Sequence, residues 1–335
     1  SISYYQNNTQ MPSESLERMI RSIPNIFPSK RFSMNILNSQ TFEQVHFVQL
    51  ATCLSKSKSL EDLILRLTLN YYVSKDDKDI FYSMLGSFKM LKSLTLDLKS
   101  KISSLNDYDL EILGSKLPNL CALQVLDFTF DMNYDLSDKG FIALLNGMSK
   151  LKHLKTLSLS IEKQNIITDE FIFSLKEQLS KLDSLKNFHL SFSKCLFTNN
   201  TMKGLYESIG SFKLNVLTLR ITSCKINIKD ISFLRKFLCE SKGLLELDLA
   251  LALSLTEKES EALSDGLQNL AWLRVLKLKF LACTPCKIIA GIKKLTRLRE
   301  LHWDLGSRVG KKYEQELFYG LKSLAHISWE ETSKI

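Results

Sequence analysis

The chemically most suggestive motif in the chain is Cys283-Thr-Pro-Cys286, which has the spacing of thiol redox pairs and of zinc sites. A zinc site needs two further ligands, usually from a second cysteine pair or a histidine pair, and the sequence offers neither. Its five histidines stand apart, at positions 46, 153, 189, 302 and 326. A redox pair needs its first cysteine at a helix N-terminus beside a strand, where the pKa of the thiol falls. The sequence favours a structural role for the two cysteines and predicts no metal and no other cofactor.

The signature motifs of common enzyme classes are missing from the sequence. It contains no GxxxxGK[ST] phosphate-binding loop, no GxGxxG, no GxSxG and no HExxH. His189 and His302 lie on predicted strands, but neither has an evident nucleophile as a partner. We therefore predict that the chain is not an enzyme and has no small-molecule substrate.

The composition is typical of a folded protein with reduced thiols. The chain is 44% hydrophobic and 24% charged, and its seven cysteines are odd in number and scattered. A disulfide framework is dense and even in number, so we expect free thiols and a cytoplasmic location, with attachment to the cytoskeleton or a cilium as one form of it. No apolar run approaches the roughly 18 residues that cross a bilayer, so the sequence predicts no membrane span.

The net charge of +9 is concentrated near one end of the sequence. Residues 271–335 contain 13 Lys and Arg against 6 Asp and Glu. Such an excess can mark a nucleic-acid partner or an acidic protein partner. A solvated basic face is the favoured interpretation, and nucleic-acid binding is not predicted.

One phrase recurs along the chain: an apolar residue, two others, then three apolar residues at alternate positions. The regular copies begin at Leu60, Leu91, Leu123, Leu154, Leu185, Leu214, Leu244, Leu273 and Leu298. Their spacing of 25 to 32 residues is typical of repeat architectures. Degenerate copies around Met34 and Ile327 open and close the series. The phrase therefore predicts about eleven stacked repeats and not two globular domains.

Each copy of the phrase predicts a strand that is followed by a helix. Alternation of period two indicates a strand with one buried face, over residues 63–67, 94–98, 126–130, 157–161, 188–192, 217–221, 247–251, 276–280 and 301–305. Between strands the apolar spacing becomes helical, as in Phe171, Leu175 and Leu179. Residues that cap helices stand where these helices should begin, at Asn106, Ser137, Thr168 and Thr256.

In these residues the sequence resembles the leucine-rich-repeat superfamily, specifically its long-repeat, ribonuclease-inhibitor-like class. The resemblance covers residues 14–330 and implies an α/β fold, a curved solenoid or horseshoe with a parallel sheet on the concave face and helices on the convex face. It implies a single domain over 1–335. That domain would comprise an N-terminal capping helix and degenerate first repeat (1–36), regular repeats (37–305) and a C-terminal capping repeat (306–335). The lengthened strand phrase is similar to that of some protist repeat arrays.

The family ends each strand with an Asn or Cys whose side chain bonds the backbone of a neighbouring repeat. In the lengthened phrase this ladder falls ten residues after the first leucine, at Asn70, Lys101, Asn133, Gln164, Cys195, Cys224, Ser254, Cys283 and Arg308. An unpaired buried backbone group costs roughly 1–3 kcal/mol, so a short polar side chain has a structural purpose there. The resemblance thus explains three cysteines, and we expect the ladder to be interrupted at Lys101 and Arg308.

The candidate binding residues are the strand side chains that point away from the core, because in this family the strands line the concave face. The early repeats place a mainly acidic set there: Asp97, Lys99, Asp127, Asp131 and Glu162. The later repeats place a mainly basic set there: Arg220, Asp248, Lys277, Lys279, His302 and Asp304. This division favours a polar protein partner that is basic where it contacts the acidic set. The alternative is a sheet that is simply solvated.

These observations together predict a non-enzymatic protein–protein interaction scaffold that binds its partner through the concave face. Two other functions stay open. One is a structural component of a large cytoskeletal or ciliary assembly. The other is a regulator of a small GTPase, because one eleven-repeat relative has that activity. That family typically carries an acidic C-terminal tail, whereas this sequence ends basic, which disfavours the regulator.

Overall fold

The computed structural model describes most of the chain, in two compact units that comprise Ser1–Leu185 and Lys186–Ile335. We call them unit 1 and unit 2. The described residues are 2–7, 12–23, 29–37, 42–69, 73–100, 105–131, 136–162, 168–222, 224–226, 231–304 and 328–331. Each unit is a series of parallel strands that alternate with helices.

The described part of unit 1 contains six strands, all paired in parallel with their neighbours in chain order. The strands are β1 (Ile2–Asn7), β2 (Arg31–Leu37), β3 (Asp62–Leu69), β4 (Ser93–Ser100), β5 (Val125–Asp131) and β6 (Thr156–Glu162). The helices are α1 (Ser13–Ser22), α2 (Gln44–Leu54), α3 (Lys75–Leu85), α4 (Asp107–Lys116), α5 (Asp138–Met148) and α6 (Asp169–Leu179). A short 3-10 helix, Leu117–Asn119, extends α4.

Unit 2 continues the same alternation of strand and helix. Its strands are β7 (Asn187–Ser193), β8 (Leu196–Phe197), β9 (Val216–Thr222), β10 (Lys225–Ile226), β11 (Glu246–Ser254), β12 (Val275–Ala282), β13 (Glu300–Asp304) and β14 (Ser328–Glu331). Its helices are α7 (Asn199–Gly210), α8 (Ser232–Glu240), α9 (Glu257–Leu267) and α10 (Pro285–Ile292). The long strands β7, β9, β11, β12, β13 and β14 pair in parallel in that order, while β8 and β10 form a separate pair.

The leucine phrase determines the register of these strands. Leu63, Leu94, Leu126 and Leu157 lie side by side in unit 1, and all four are fully buried. The same position in unit 2 is occupied by Phe188, Leu217, Leu247, Leu276 and Leu301. The predicted strands are confirmed, the last of them over its described residues 301–304. Stacked repeats therefore share a continuous core within each unit, which no repeat could form alone.

The predicted helix caps are also confirmed. Asn106, Ser137, Thr168 and Thr256 are the N-caps of α4, α5, α6 and α9, and Thr256 forms a capping box with Glu259. The caps of unit 1 have a second role. The Asp107 carboxylate, in the first turn of α4, accepts hydrogen bonds from the Ser137 backbone N–H at 2.7 Å and from its hydroxyl. The N-terminus of one helix is thus bonded to the next.

Strand β1 departs from the prediction for residues 1–36, which was a capping helix and a degenerate first repeat. Helix α1 and strand β2 are present, but β1 precedes them and pairs in register with β2, Ile2 beside Phe32 and Gln6 beside Ile36. The segment lacks the leucine phrase, so its pairing with β2 and not its own pattern makes it a strand. Most of the predicted C-terminal capping repeat lies outside the described residues, as do the ladder positions Asn70, Lys101, Asn133, Gln164 and Arg308.

Candidate functional site

The candidate site is the face of each sheet that points away from the core, which we call the sheet face of unit 1 and the sheet face of unit 2. In β6 and β7 every second residue is buried and the residues between are partly exposed. This alternation is the one expected of a strand with one buried face. The described side chains among the predicted site residues are all accessible on these faces.

On the sheet face of unit 1, the register brings charges of opposite sign together. Asp97 of β4 lies beside Arg66 of β3, and Lys99 of β4 lies beside Asp131 of β5. The side chain of Asp131 is outside the described residues. Opposite charges on neighbouring strands stabilise a sheet, whereas like charges destabilise it. The mainly acidic set is therefore interleaved with two basic residues, which lowers its internal repulsion.

Arg66 was not among the predicted residues, although the sequence contains the signal for it. It stands between Leu65 and Leu67 and so shares the outward parity of Asp97. Leu281 was missed for the same reason: it follows Phe280 at the end of β12 and is 57% exposed. Reading every outward position, and not only those rich in charge, would have found both.

Asp127 is the predicted acidic residue whose in-register neighbours are uncharged. It lies between Thr95 of β4 and Ser158 of β6. Within the described residues, its carboxylate forms no ion pair and no hydrogen bond. Glu162 ends β6 on the same sheet face.

On the sheet face of unit 2, most of the predicted charges neutralise one another. Arg220 forms an ion pair with Asp248, and the Lys279 ammonium lies 2.7 Å from the Asp304 carboxylate. These are partly exposed pairs, which contribute little stability because water and salt screen them. They do reduce the net charge of the face, so the later set is less basic than its composition indicates.

Lys277 is the predicted basic residue that remains without such a partner. It is exposed and lies in register between Asp248 of β11 and His302 of β13, yet it forms no ion pair with any described residue. His302 lies 3.9 Å from Glu300. His189, on β7, is hydrogen-bonded to the Thr218 hydroxyl at 2.8 Å. The imidazole of His189 is therefore held by a neighbouring strand.

The Cys283–Cys286 pair does lie where a strand meets a helix. Cys283 follows β12, and Cys286 is in the first turn of α10, behind Pro285. Burial, followed by the proximity of Cys286, raises the pKa of Cys283 to about 12. A redox-active first cysteine needs the opposite shift. In the part of the chain that the structure describes, no three His, Cys, Asp or Glu side chains are grouped so as to hold a metal.

A buried polar cluster in unit 1 was not foreseen from the sequence. The Lys78 ammonium lies 2.8 Å from the Asp109 carboxylate, which also accepts a hydrogen bond from the Tyr82 hydroxyl at 3.1 Å. Asp109 accepts a further bond from the Asn106 backbone N–H. Burial and the Asp109 carboxylate raise the pKa of Tyr82. Because each group is paired within the cluster, it fixes α3 to the start of α4 and has the features of a structural element.

Two cysteines at the ends of strands in unit 2 bond the backbone of neighbouring repeats. The Cys195 backbone N–H donates to the Cys224 sulfur at 3.2 Å, and the Cys224 thiol contacts the carbonyl oxygens of Phe192 and Thr222. Lys194, just before the first rung, adopts a positive φ of 58°. The fold is a leucine-rich-repeat fold. The ladder that the resemblance implied is present at these two positions of unit 2.

Similarity to known proteins is found among solved structures. No family model and no curated protein matches the sequence. Among solved structures, the chain is similar to TLR13 in its complex with ssRNA13, with 17% identity and a TM-score of 0.48 over 94% of this chain. It spans 45% of the length of that TLR13 chain. It is also similar to a leucine-rich-repeat protein of Leptospira interrogans, with 16% identity and a TM-score of 0.33, covering 96% of this chain and all of the other.

The helices that the structure describes are all short, and the longest of them, α7, has 12 residues. None of them is long and apolar enough to cross a membrane.

Proposed function

We propose that the chain is a non-enzymatic protein–protein interaction scaffold that binds its partner through the sheet faces. The proposed binding residues are Asp97, Lys99, Asp127, Asp131 and Glu162 in unit 1, and Arg220, Asp248, Lys277, Lys279 and Asp304 in unit 2. Backbone pairing on both sides holds the inner strands in place, so a partner meets a surface that loses little conformational freedom on binding.

The observation that carries the proposal is a set of charges that have no partner among the described residues: Asp127 and Glu162 in unit 1 and Lys277 in unit 2. Most of the other charges on the sheet faces form ion pairs or lie in register beside an opposite charge. A charge that is unneutralised in the free protein gains most from a complementary charge on a partner. Asp127 would pair with a basic group of the partner, in agreement with a partner of basic character. Lys277 would pair with an acidic group of the partner.

The test is partner capture by the tagged full chain, followed by mass spectrometry, with Asp127→Lys and Lys277→Glu combined. We expect the captured proteins to be lost by this variant, and capture by the unmodified chain to weaken as salt rises, because salt screens exposed charges beyond about 8 Å at physiological strength. Thermal unfolding should shift only slightly downward, since neither side chain forms an ion pair with a described residue but Lys277→Glu places a second acidic residue beside Asp248.

The matched control exchanges the same two signs elsewhere. Glu207→Lys and Lys236→Glu alter exposed residues of α7 and α8 and leave the net charge as it is in the test variant. Capture should survive in this control. If the test variant captures the same proteins as the unmodified chain, binding does not use the sheet faces.

A further inference from the structure

The connections from each helix to the next strand have an unusual charge. Eight of them lie wholly within one unit and are fully described: 55–61, 86–92, 117–124 and 149–155 in unit 1, and 211–215, 241–245, 268–274 and 293–299 in unit 2. Together they contain 14 of the 45 Lys and Arg of the chain but only one of its 36 Asp and Glu, Glu61. The rest of the chain is therefore more acidic than basic, although the whole chain is at +9. We call the four connections of unit 2 its basic edge.

The basic edge of unit 2 contains seven basic residues and no acidic one: Lys213, Lys242, Arg274, Lys293, Lys294, Arg297 and Arg299. All seven are exposed, and none of them forms an ion pair with a described residue. Unit 1 repeats the pattern with seven exposed lysines. Of these, Lys92 is paired with Glu61 at 2.7 Å. The positive charge of the edge is thus not neutralised by ion pairs with the residues that the structure describes.

Compensation of helix dipoles accounts for only part of this charge, at Lys293, which is the C-cap of α10. Cations stabilise a helix C-terminus only within about its last turn. Helices α7, α8, α9 and α10 have no basic residue in their last turn. Arg274 and Arg299 stand immediately before strands β12 and β13, at the far end of their connections.

Within unit 2, backbone hydrogen bonds hold these connections at one level. The N–H of Asn215 donates to the Lys186 carbonyl at 2.8 Å, and each later repeat repeats the bond. The last two bonds run from Arg274 to Leu245 at 2.7 Å and from Arg299 to Arg274 at 2.8 Å. Because the strands are in register, the side chains of successive connections project past the same end of the sheet.

An exposed tryptophan lies within this basic surface. Trp272 is 48% exposed in the connection before β12, and the Arg297 guanidinium lies over its ring, 3.7 Å from the ring centroid. Tryptophan is enriched at membrane–water interfaces because its ring is amphipathic. In unit 1, Met90 holds the same place in the connection 86–92 as Trp272 does in 268–274, and it is 53% exposed.

The edge also contains a cleft of about 490 Å³. It opens where the connections 211–215 and 241–245 have five residues, whereas 268–274 has seven. Ser241 stands there at the position that Leu270 and Leu295 occupy in the next repeats. Lys186, Lys213 and Lys242 line the cleft, together with Glu240, which offsets one of the three positive charges. The volume lies within the range of small-molecule pockets, and the excess of lysine in the lining suits an anionic headgroup.

We propose that the basic edge of unit 2 docks on an anionic lipid bilayer, with its basic side chains at the phosphates and Trp272 in the interface. Each basic residue near an anionic membrane adds to the attraction, so seven on one level form an effective surface anchor. A bilayer is favoured over single-stranded nucleic acid by the geometry. Single strands need successive aromatic platforms along a groove, and this edge has one tryptophan, one face of which is covered by Arg297.

The test is sedimentation of the full chain with vesicles of phosphatidylcholine that contain about one-third phosphatidylserine. The unmodified chain should bind them, should not bind pure phosphatidylcholine, and should dissociate at high salt. Arg274→Glu, Lys294→Glu and Arg299→Glu together should weaken binding by at least about 100-fold, from the attraction that three basic residues contribute. Lys203→Glu, Lys236→Glu and Lys258→Glu change the charge equally on exposed helix positions and should keep most of the binding.

Tryptophan fluorescence gives a second readout, which reports contact with the vesicle and would not change merely because a variant folds less well. In a Trp329→Phe background, emission should shift to shorter wavelength on binding, and Trp272→Phe should abolish that shift, because Trp303, the remaining tryptophan, is buried in the core. Equal binding to neutral vesicles, equal loss in the helix control, or less than about a threefold loss in the edge variant would each overturn the proposal. Loss by the edge variant of RNA or duplex DNA binding, with no vesicle binding by the unmodified chain, would assign the edge to nucleic acid instead. None of these outcomes depends on the sheet faces.

Discussion

At the scale of single residues, position in the repeat decides what each cysteine does. Cys195 and Cys224 are buried rungs whose sulfur atoms bond the backbone. The hydrogen bonds from Cys195 lower the pKa of Cys224 against the opposing effect of burial. Cys283 stands at the same ladder position, but burial raises its pKa instead. The CxxC spacing alone does not distinguish these environments.

The thiols of Cys283 and Cys286 should therefore react at different rates. The thiolate is the nucleophile, so at pH 8 Cys283, with its pKa near 12, should resist iodoacetamide, whereas the exposed Cys286 should be alkylated readily. Peptide mass spectrometry over a time course measures both rates. Exposed Cys121 provides the control for an ordinary surface thiol. Faster alkylation of Cys283 than of Cys286 would contradict this assignment and revive a redox role for the pair.

At the scale of elements, glycine sets how closely two helices of unit 1 approach. Gly114 of α4 and Gly147 of α5 face each other, and a Cβ atom on either would clash with the backbone of the facing helix. These close contacts are possible because glycine has no side chain. They do not depend on its conformational freedom. The hydrogen bonds of Asp107 to Ser137 hold the N-terminal ends of the same two helices together.

Gly147→Ala should consequently destabilise the protein by about 1–3 kcal/mol, the usual cost of overpacking. Gly210→Ala is the matched control, because a Cβ atom there meets its nearest neighbour, Phe237, at an ordinary 3.6 Å. Since alanine favours helix over glycine, the control should be neutral or slightly stabilising. Denaturant titration measures both free energies of unfolding. Equal effects would show that the helix packing in unit 1 is looser than the structure has it.

At the scale of the whole molecule, the repeats depend on their immediate neighbours. Each inner strand pairs with the strand before and the strand after, and the packed core continues from repeat to repeat within a unit. Stability in such an array is approximately a sum of repeat terms and nearest-neighbour terms. Damage to one repeat should therefore spread a limited distance.

Leu219→Ala tests this at the centre of β9, where the leucine is fully buried. The substitution should cost about 2–5 kcal/mol through lost transfer energy and a cavity. Hydrogen exchange should show the greatest loss of protection in β9 and in its partners β7 and β11, and less in β13, two strands beyond β11. A uniform loss across unit 2 would instead indicate a single cooperative core.

The sequence by itself determined the repeat, the strand register and the helix starts. The leucine phrase has a period of two, so a slip of one residue between strands would expose every leucine. No other register buries the same side chains. The caps could be read because Asn, Ser and Thr satisfy free N–H groups through their own side chains. The outward parity of the candidate binding residues followed from the same alternation, and it would have identified Arg66 had all the outward positions been read.

Tertiary structure determined the features that depend on contacts between residues distant in the sequence. Strand β1 forms because β2 offers it a partner. Register between strands, not composition, places Arg66 beside Asp97 and leaves Asp127 and Lys277 without a partner among the described residues. Burial, which depends on the packing of other repeats, sets the pKa of Cys283. The basic edge was present in the sequence as scattered lysines and arginines. It became a surface because in-register hydrogen bonds bring connections some 30 residues apart to one level within a unit.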